Sequence, residues 1–289
     1  MKKIIFTLVF VPAFFLCAIC AAYAPEGKLF VTMLDVGQGD SILIETPTQN
    51  ILIDTGDVSA RKILVDELKK AGVTRFERII LTHPHADHIG GVSAVLKNFP
   101  VDEISDNGFP SANPLYGKYR EAKVKFSSLK AGDVLKFGDG VYFEVFAPDP
   151  FEEFNSVNNQ SIIGKLIFGE VSVLFTGDAG QAVEKALLKS PYDLSATILK
   201  AAHHGSKSSN SKKFVNAVAP DYVLISASID NKYGHPHKRS LETFADFIGD
   251  GDVIFCTAFN GTVRVETDGS DVEVFPEHDV NWLDDYLEE

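Results

Sequence analysis

Six positions, His83 to His88 within LTHPHADHIGG, hold three of the chain's eight histidines and an aspartate. A buried histidine needs a partner for each ring nitrogen, so this density marks either a site or a histidine-rich polar loop. The spacing favours a site. The apolar run RIILT (78–82) reads as a strand that ends at His83. In extended backbone, side chains two apart point the same way, so His83 and His85 can grip one cation. ADHIGGVSAV then starts a helix, with Asp87 and His88 on its first turn, within reach of a second cation. Imidazole with carboxylate suits zinc, manganese or iron, and zinc is the commonest in hydrolytic sites. The expected cofactor is a pair of divalent ions, zinc first. Pro84 and the Gly90–Gly91 pair predict a stiff turn and close helix packing.

Such ligands need strands and helices to hold them. Strand-type runs are KLFVTML (28–34), SILIET (41–46), NILID (50–54), RIILT, VYFEVFA (141–147) and SIIGKLIF (161–168). They continue with VSVLFT (171–176), ATILKA (196–201), DYVLIS (221–226), DVIFC (252–256) and GTVRVET (261–267). Helical patterns cover 60–72, 88–99, 180–190, 211–219 and 239–249. The first ends on Gly72, a natural cap position. Stretches rich in Asn, Pro and Asp at 105–122 and 148–160 read as long loops. Strands then helices recur in two halves with no linker between them. This predicts an α/β fold, a four-layer αββα sandwich with two sheets face to face and helices outside each, over residues 25–275. Residues 276–289 form an acidic tail, either loose or docked through Trp282 and Tyr286.

The composition narrows the function. The chain carries 27 basic and 40 acidic side chains, a net charge of -13, with no basic tract. Bulk attraction to nucleic acid is therefore not expected, and a polyanionic substrate would have to be held locally by cations. At the N-terminus, Lys2 and Lys3 precede an apolar run from Ile4 to about Ala22. That layout predicts a cleavable signal peptide over residues 1–24, with an uncleaved membrane anchor as the alternative. The expected location is secreted, periplasmic or cell surface. Cys17 and Cys20 leave with the signal, so Cys256 in VIFCTAF reads as a buried, inert thiol.

The H-x-H-x-D-H pattern resembles the metallo-β-lactamase superfamily, which implies a metallo-β-lactamase-like sandwich. By that resemblance, Asp178 in LFTGD (174–178) is a metal-bridging aspartate. His203 and His204 in AAHHGSKSSNS supply a late ligand, without spacing saying which. Asp54 in LIDTG supports the metal loops from behind. A narrower resemblance, covering about residues 29–268, is to the soluble domain of competence DNA-uptake (ComEC) family proteins. It rests on MLDVGQGDSILIET, NNQSIIGKL, LFTGD, HHGSKSS and YGHPH in that order. Secreted phosphorylcholine esterases share several of these. The membrane channel of ComEC proteins has no counterpart in the chain. Many superfamily members place another histidine before the aspartate, whereas here no histidine occurs between 89 and 202. NSVNNQS stands there instead, so Asp178 with water or Asn159 is left to complete the His83–His85 site, and Ser161 joins Asn159 as a substrate contact.

Weaker signals have two readings each. Gly37, Gly39 and Asp40 form either a plain hairpin or a turn that supports the metals. Ser206, Lys207, Ser208 and Ser209 read as a phosphate cradle before a helix or as a simple N-cap. His235 and His237 in YGHPHKRS either face solvent or meet the leaving group, His235 being the candidate general acid. His278 reads as solvated. With Asp87 and Asp178 as the other catalytic candidates, two adjacent ions would generate hydroxide near neutral pH. The reading is an exported hydrolase of phosphate esters, DNA among them; its protein partners are not legible. The alternatives are a lactam or carboxylic ester hydrolase, or a non-catalytic, metal-stabilised module that binds DNA or cell wall.

Overall fold

Branched apolar residues fill both faces of the strands that carry the site, so each sheet has to be covered on two sides. The computed structural model describes residues 27–138, 140–149, 156–249 and 253–288; the expected signal peptide lies outside them. One sheet holds β1 (Leu29–Met33), β2 (Ile42–Glu45), β3 (Asn50–Ile53), β4 (Phe76–Leu81), β5 (Val101–Asp106) and β6 (Lys125–Ser128). β14 (Val263–Thr267) and β15 (Val272–Pro276) return to it, giving the order β15-β14-β1-β2-β3-β4-β5-β6. The other sheet holds β7 (Val134–Lys136), β8 (Val141–Ala147), β9 (Ile163–Phe168), β10 (Val171–Phe175), β11 (Ile198–Lys200), β12 (Tyr222–Ile225) and β13 (Ile254–Cys256). Its order is β13-β12-β11-β10-β9-β8-β7.

Side-chain alternation divides the core into three layers. Ile42, Ile44, Ile51, Ile53 and Ile80 from one sheet meet Val173, Phe175, Ile198 and Leu224 from the other. Their alternating neighbours Leu43, Leu52, Ile79 and Leu81 face outward. They pack under α1 (Arg61–Lys70), α2 (Ala86–Ile89), α3 (Val92–Asn98) and α4 (Pro114–Arg120). Leu174, Leu199, Val223 and Ile225 do the same beneath α5 (Gln181–Leu187), α6 (Lys212–Val218) and α7 (Lys238–Ile248). The short α8 (Thr257–Asn260) and α9 (Leu283–Glu288) complete this side. The result is the expected αββα sandwich. β3, β4 and β5 run parallel, as do β10 to β13, with helices in the crossovers. The loops after β3, β4, β10, β11 and β12 therefore gather at one edge, where open α/β sheets present ligand sites.

Several expectations are corrected. The helix predicted over 88–99 breaks into α2 and α3 at Gly90–Gly91. A β-carbon on Gly91 would lie 2.2 Å from the Thr55 carbonyl oxygen, and one on Gly90 2.4 Å from the Val58 nitrogen. The break lets the loop after β3 press against the metal-binding turn. The predicted loop 105–122 contains α4, started by the Asn113 side chain accepting from Leu115 N–H and by Pro114 at the first position. β6 and β7 were not legible because KFSS and VLK are short edge strands with largely exposed side chains. The tail docks: Trp282 is 6% exposed, stacks on Phe259 and donates its indole N–H to the Ile254 carbonyl at 3.2 Å.

Candidate metal centre

The turn after β4 carries His83 and His85, and α2 that follows it carries Asp87 and His88; the loop after β10 carries Asp178; the turn after β11 carries His203 and His204. Asp178 is 2% exposed, and its two oxygens face different histidines. Oδ1 lies 3.3 Å from His88 Nε2 and 3.6 Å from His204 Nε2, with Asp87 Oδ2 a further 3.5 Å from that same His204 nitrogen. Oδ2 lies 3.7 Å from His83 Nε2 and 3.7 Å from His203 Nε2, and His85 Nδ1 stands 3.0 Å from His83 Nε2. Two ligand sets therefore share Asp178: Asp87, His88 and His204 on one side, His83 and His85 on the other. His88 Nε2, His204 Nε2 and Asp178 Oδ1 are buried atoms with no hydrogen-bond partner. Buried polar atoms are normally satisfied, and three orphans converging on one point fit a divalent cation. Imidazole and carboxylate are the donor set that zinc or manganese accepts.

His88 and His204 are each oriented from behind, as metal histidines require. Asp54, fully buried, accepts from Thr82 N–H at 2.8 Å and from the Thr82 hydroxyl at 2.6 Å, and its Oδ2 lies 2.7 Å from His88 Nδ1. The His88 ring thereby presents Nε2 to the cluster. His204 Nδ1 sits 3.0 Å from the Ser226 carbonyl and does the same. Asp40 is held between the halves. Its N–H donates to the Asp87 carbonyl at 3.1 Å, its Oδ2 accepts from Lys200 Nζ at 2.9 Å, and its Oδ1 accepts from the Ser226 hydroxyl and lies 3.3 Å from His204 Nδ1. The glycine-rich turn thus has a role beyond a hairpin: a β-carbon on Gly39 would meet the Asp87 carbonyl oxygen at 2.4 Å.

Charge follows this geometry. Burial alone would lower the pKa of His204, but the carboxylates of Asp178 and Asp40 outweigh it and hold the ring up at about 9. His88 is likewise raised against its burial by Asp178 and Asp54. Burial also opposes ionisation of Asp178, and the surrounding histidines override it and keep the carboxyl well below its ordinary range. His83 moves the other way, lowered by burial and by neighbouring His88.

The remaining candidates divide. Asn159 lines the recess beside Asp178 and His203, and its oxygen accepts from Gly180 N–H at 2.9 Å at the start of α5. Its neighbour Asn158 places Nδ2 3.3 Å from His203 Nε2. Ser161 is fully buried and cannot touch substrate; its hydroxyl accepts from Asp178 N–H at 3.1 Å and lies 3.3 Å from His83 Nδ1. Ser206 pairs its hydroxyl with that of Ser208 at 2.9 Å, and the Lys207 N–H donates to His237 Nδ1 at 3.3 Å. Ser211, not these residues, caps α6, which corrects the N-cap reading of the serine run, while Ser208 borders a recess of about 340 Å3 beside Asp178 and His203. His235 lines the 320 Å3 cleft at the ligands, with His85, Asp178, His203 and His204. Burial and the charge of His204 push its pKa down to about 3. His237 packs edge-on against His235, 5.0 Å away, behind the cleft lining. Lys200, Ser226, Thr82 and Asn158 carried no signal of their own in the sequence, because one lysine, serine, threonine or asparagine near a strand end is ordinary.

The chain matches the sequence pattern of the metallo-beta-lactamase superfamily over residues 34–228. It belongs to that superfamily. It is 33% identical over 253 residues to ComE operon protein 3 of Bacillus subtilis (strain 168), covering 79% of this chain and 32% of that one. Competence protein ComA of Neisseria gonorrhoeae is 34% identical over 214 residues, covering 73% of this chain and 29% of its own. The chain thus spans about a third of the length of these relatives. A shorter match, 31% identical over 111 residues, covers 34% of this chain and 36% of ribonuclease Z of Bradyrhizobium diazoefficiens. Among solved structures, the metallo hydrolase Igni18 of Ignicoccus hospitalis shares the fold, with a TM-score of 0.52 at 14% identity, over 85% of this chain and 98% of that one.

Two outcomes follow. Lys200 is 1% exposed, so Lys200→Met strands the buried Asp40 carboxylate and should cost about 3–5 kcal/mol. The double variant with Asp40→Asn should recover most of that, as read by urea unfolding of metal-free protein. Second, the proton held on His204 with a pKa of about 9 must leave Nε2 before that atom can ligate. Metal binding at pH 7 should therefore release protons, and apparent affinity should rise with pH up to about 9, roughly tenfold per unit for each proton released. Calorimetric titration in buffers of different ionisation heat checks this; zero proton release would contradict it.

Proposed function

We propose that the chain is an exported, two-metal phosphodiesterase. The observation that carries it is the pair of ligand sets sharing Asp178. One set would hold an ion through Asp87, His88, His204 and Asp178, the other through His83, His85 and Asp178, with His203 and Asn158 beside it. Divalent ions there supply an activated water near neutral pH and neutralise charge growing on a phosphate oxygen. For a chain with net charge -13, they also provide the local positive field that an ester of phosphoric acid needs.

The protein's own groups bind and orient. Asp54 and Ser226 fix the tautomers of His88 and His204, so that both Nε2 atoms point inward. Asp40 ties Asp87 of one half to His204 of the other. Asn158 and His235 line the cleft where the ester oxygens would lie, each able to share a hydrogen bond. The choice of phosphodiesters is supported by the relatives' names, two of them competence proteins and one a ribonuclease. Export is supported by the Lys2–Lys3 pair and the apolar run behind it.

The test is hydrolysis of bis-p-nitrophenyl phosphate by the metal-loaded chain. Asp178→Ala and His85→Ala should each lower the rate by at least about a hundredfold. Bound metal with hydrolysis of a β-lactam or of p-nitrophenyl acetate, and none of the phosphodiester, would overturn the reading in favour of the other ester and amide substrates.

A further inference from the structure

The cleft at the metal centre does not end at the ligands. It continues into a groove of about 730 Å3, and Gln38, Ala86, Asp87 and Tyr233 line both. Tyr233 stands at the junction with 51% of its surface open. Its ring lies within 20° of parallel to that of His235, centroids 5.6 Å apart, and His235 lies within 29° of parallel to the ligand His204, at 5.9 Å. A ladder of rings therefore leads out of the metal centre and ends on Tyr233.

The turn that displays this ring is pre-built. The Asn231 amide donates to the carbonyls of Ser228 at 2.7 Å and His235 at 2.5 Å, and its oxygen accepts from the N–H groups of Tyr233 at 3.2 Å and His235 at 2.9 Å. Four bonds from one side chain fix the backbone of the turn that carries Tyr233 before any ligand arrives. Lys232 Nζ, on an exposed side chain, stands over the Tyr233 ring 5.0 Å from its centroid, so a base that stacks there takes the place of a mobile ammonium, which swings aside toward the phosphate. The groove wall below carries Asp57 and Asp230. Carboxylates repel a phosphate backbone but accept from ring N–H and amino groups, so the wall at Asp57 and Asp230 suits a base, and of the residues lining this groove Lys232 carries the positive charge that a phosphate needs.

We propose that Tyr233 and Lys232 form a subsite for an unpaired nucleobase beside the phosphodiester at the metal centre, with the base stacked on Tyr233 and a backbone phosphate at Lys232. The proposal rests on the phosphodiesterase reading and narrows it to single-stranded nucleic acid. A base inside a duplex has both faces covered, whereas an unstacked base offers one to an aromatic side chain.

The experiment uses the metal-loaded full chain and two 5′-labelled single strands of equal length, oligothymidylate and a strand with abasic residues. Binding is followed by fluorescence anisotropy and cleavage by gel. Wild type should bind and cut the base-bearing strand about tenfold better, the typical worth of one stacked base. Tyr233→Ala should bring that ratio close to one and Tyr233→Phe should keep it, with circular dichroism showing both variants folded. Lys232→Ala should weaken both strands alike. A wild-type ratio of one, a ratio that survives Tyr233→Ala, or no binding of either strand overturns the subsite. Failure of the phosphodiesterase reading looks different: neither strand is cut, while the Tyr233-dependent base preference in binding persists and upholds the subsite.

Discussion

The side chain of Asp178 sets the problem that the rest of the molecule solves. It is a buried carboxylate with the ring nitrogens of four histidines within 3.7 Å. Burying ionisable groups at such density is costly unless each charge is matched. The protein meets this from both sides. Asp54 and Asp40 stand behind His88 and His204, and Lys200 stands behind Asp40. Charges thus alternate outward from Asp178 through an imidazole, a carboxylate and finally an ammonium. Cations at the centre would complete the pattern by satisfying Asp178 Oδ1 and the two Nε2 atoms that nothing else reaches.

The backbone bears a second cost for the same end. Asp54, His203 and His204 adopt left-handed conformations, with φ of 57°, 52° and 54°. Each costs a non-glycine residue about 1–2 kcal/mol, and such residues persist where their surroundings over-determine them. Asp54 is fixed by Thr82 and His88. The turn with both histidines is clamped by Asn210, whose side chain accepts from Ala202 N–H at 2.9 Å and donates to the Ala202 carbonyl at 3.0 Å. Glu184 in turn accepts from the N–H groups of Asn210 and Ser211. A polar network on the far sheet thereby sets the angle at which His204 meets ligands from the near one.

The sequence spelled out those parts whose physics is local. Continuous apolar runs such as NILID and VSVLFT mark strands because both faces are buried, alternate side chains entering different layers of the core. H-x-H-x-D-H marks a metal turn because ligand spacing is itself the chemistry. What escaped was set by distant partners. KFSS and VLK become strands only because a neighbouring strand lends them hydrogen bonds. The Asn113–Pro114 helix start lay inside a stretch read as loop, although both residues are helix-initiating signals. Asn159 and Asn158 are adjacent in the chain, and only the fold decides which of them turns toward His203. Lys200 gains its role from Asp40, 160 residues away.

The central claim is that one carboxylate serves two ligand sets drawn from opposite halves of the sandwich. Metal counting on the metal-free chain after equilibrium dialysis against zinc or manganese tests it most directly. The account predicts two ions per wild-type chain and severe loss of both in Asp178→Asn, because that substitution removes a ligand from each set at once. A single ion per chain, or two ions retained by Asp178→Asn, would contradict it.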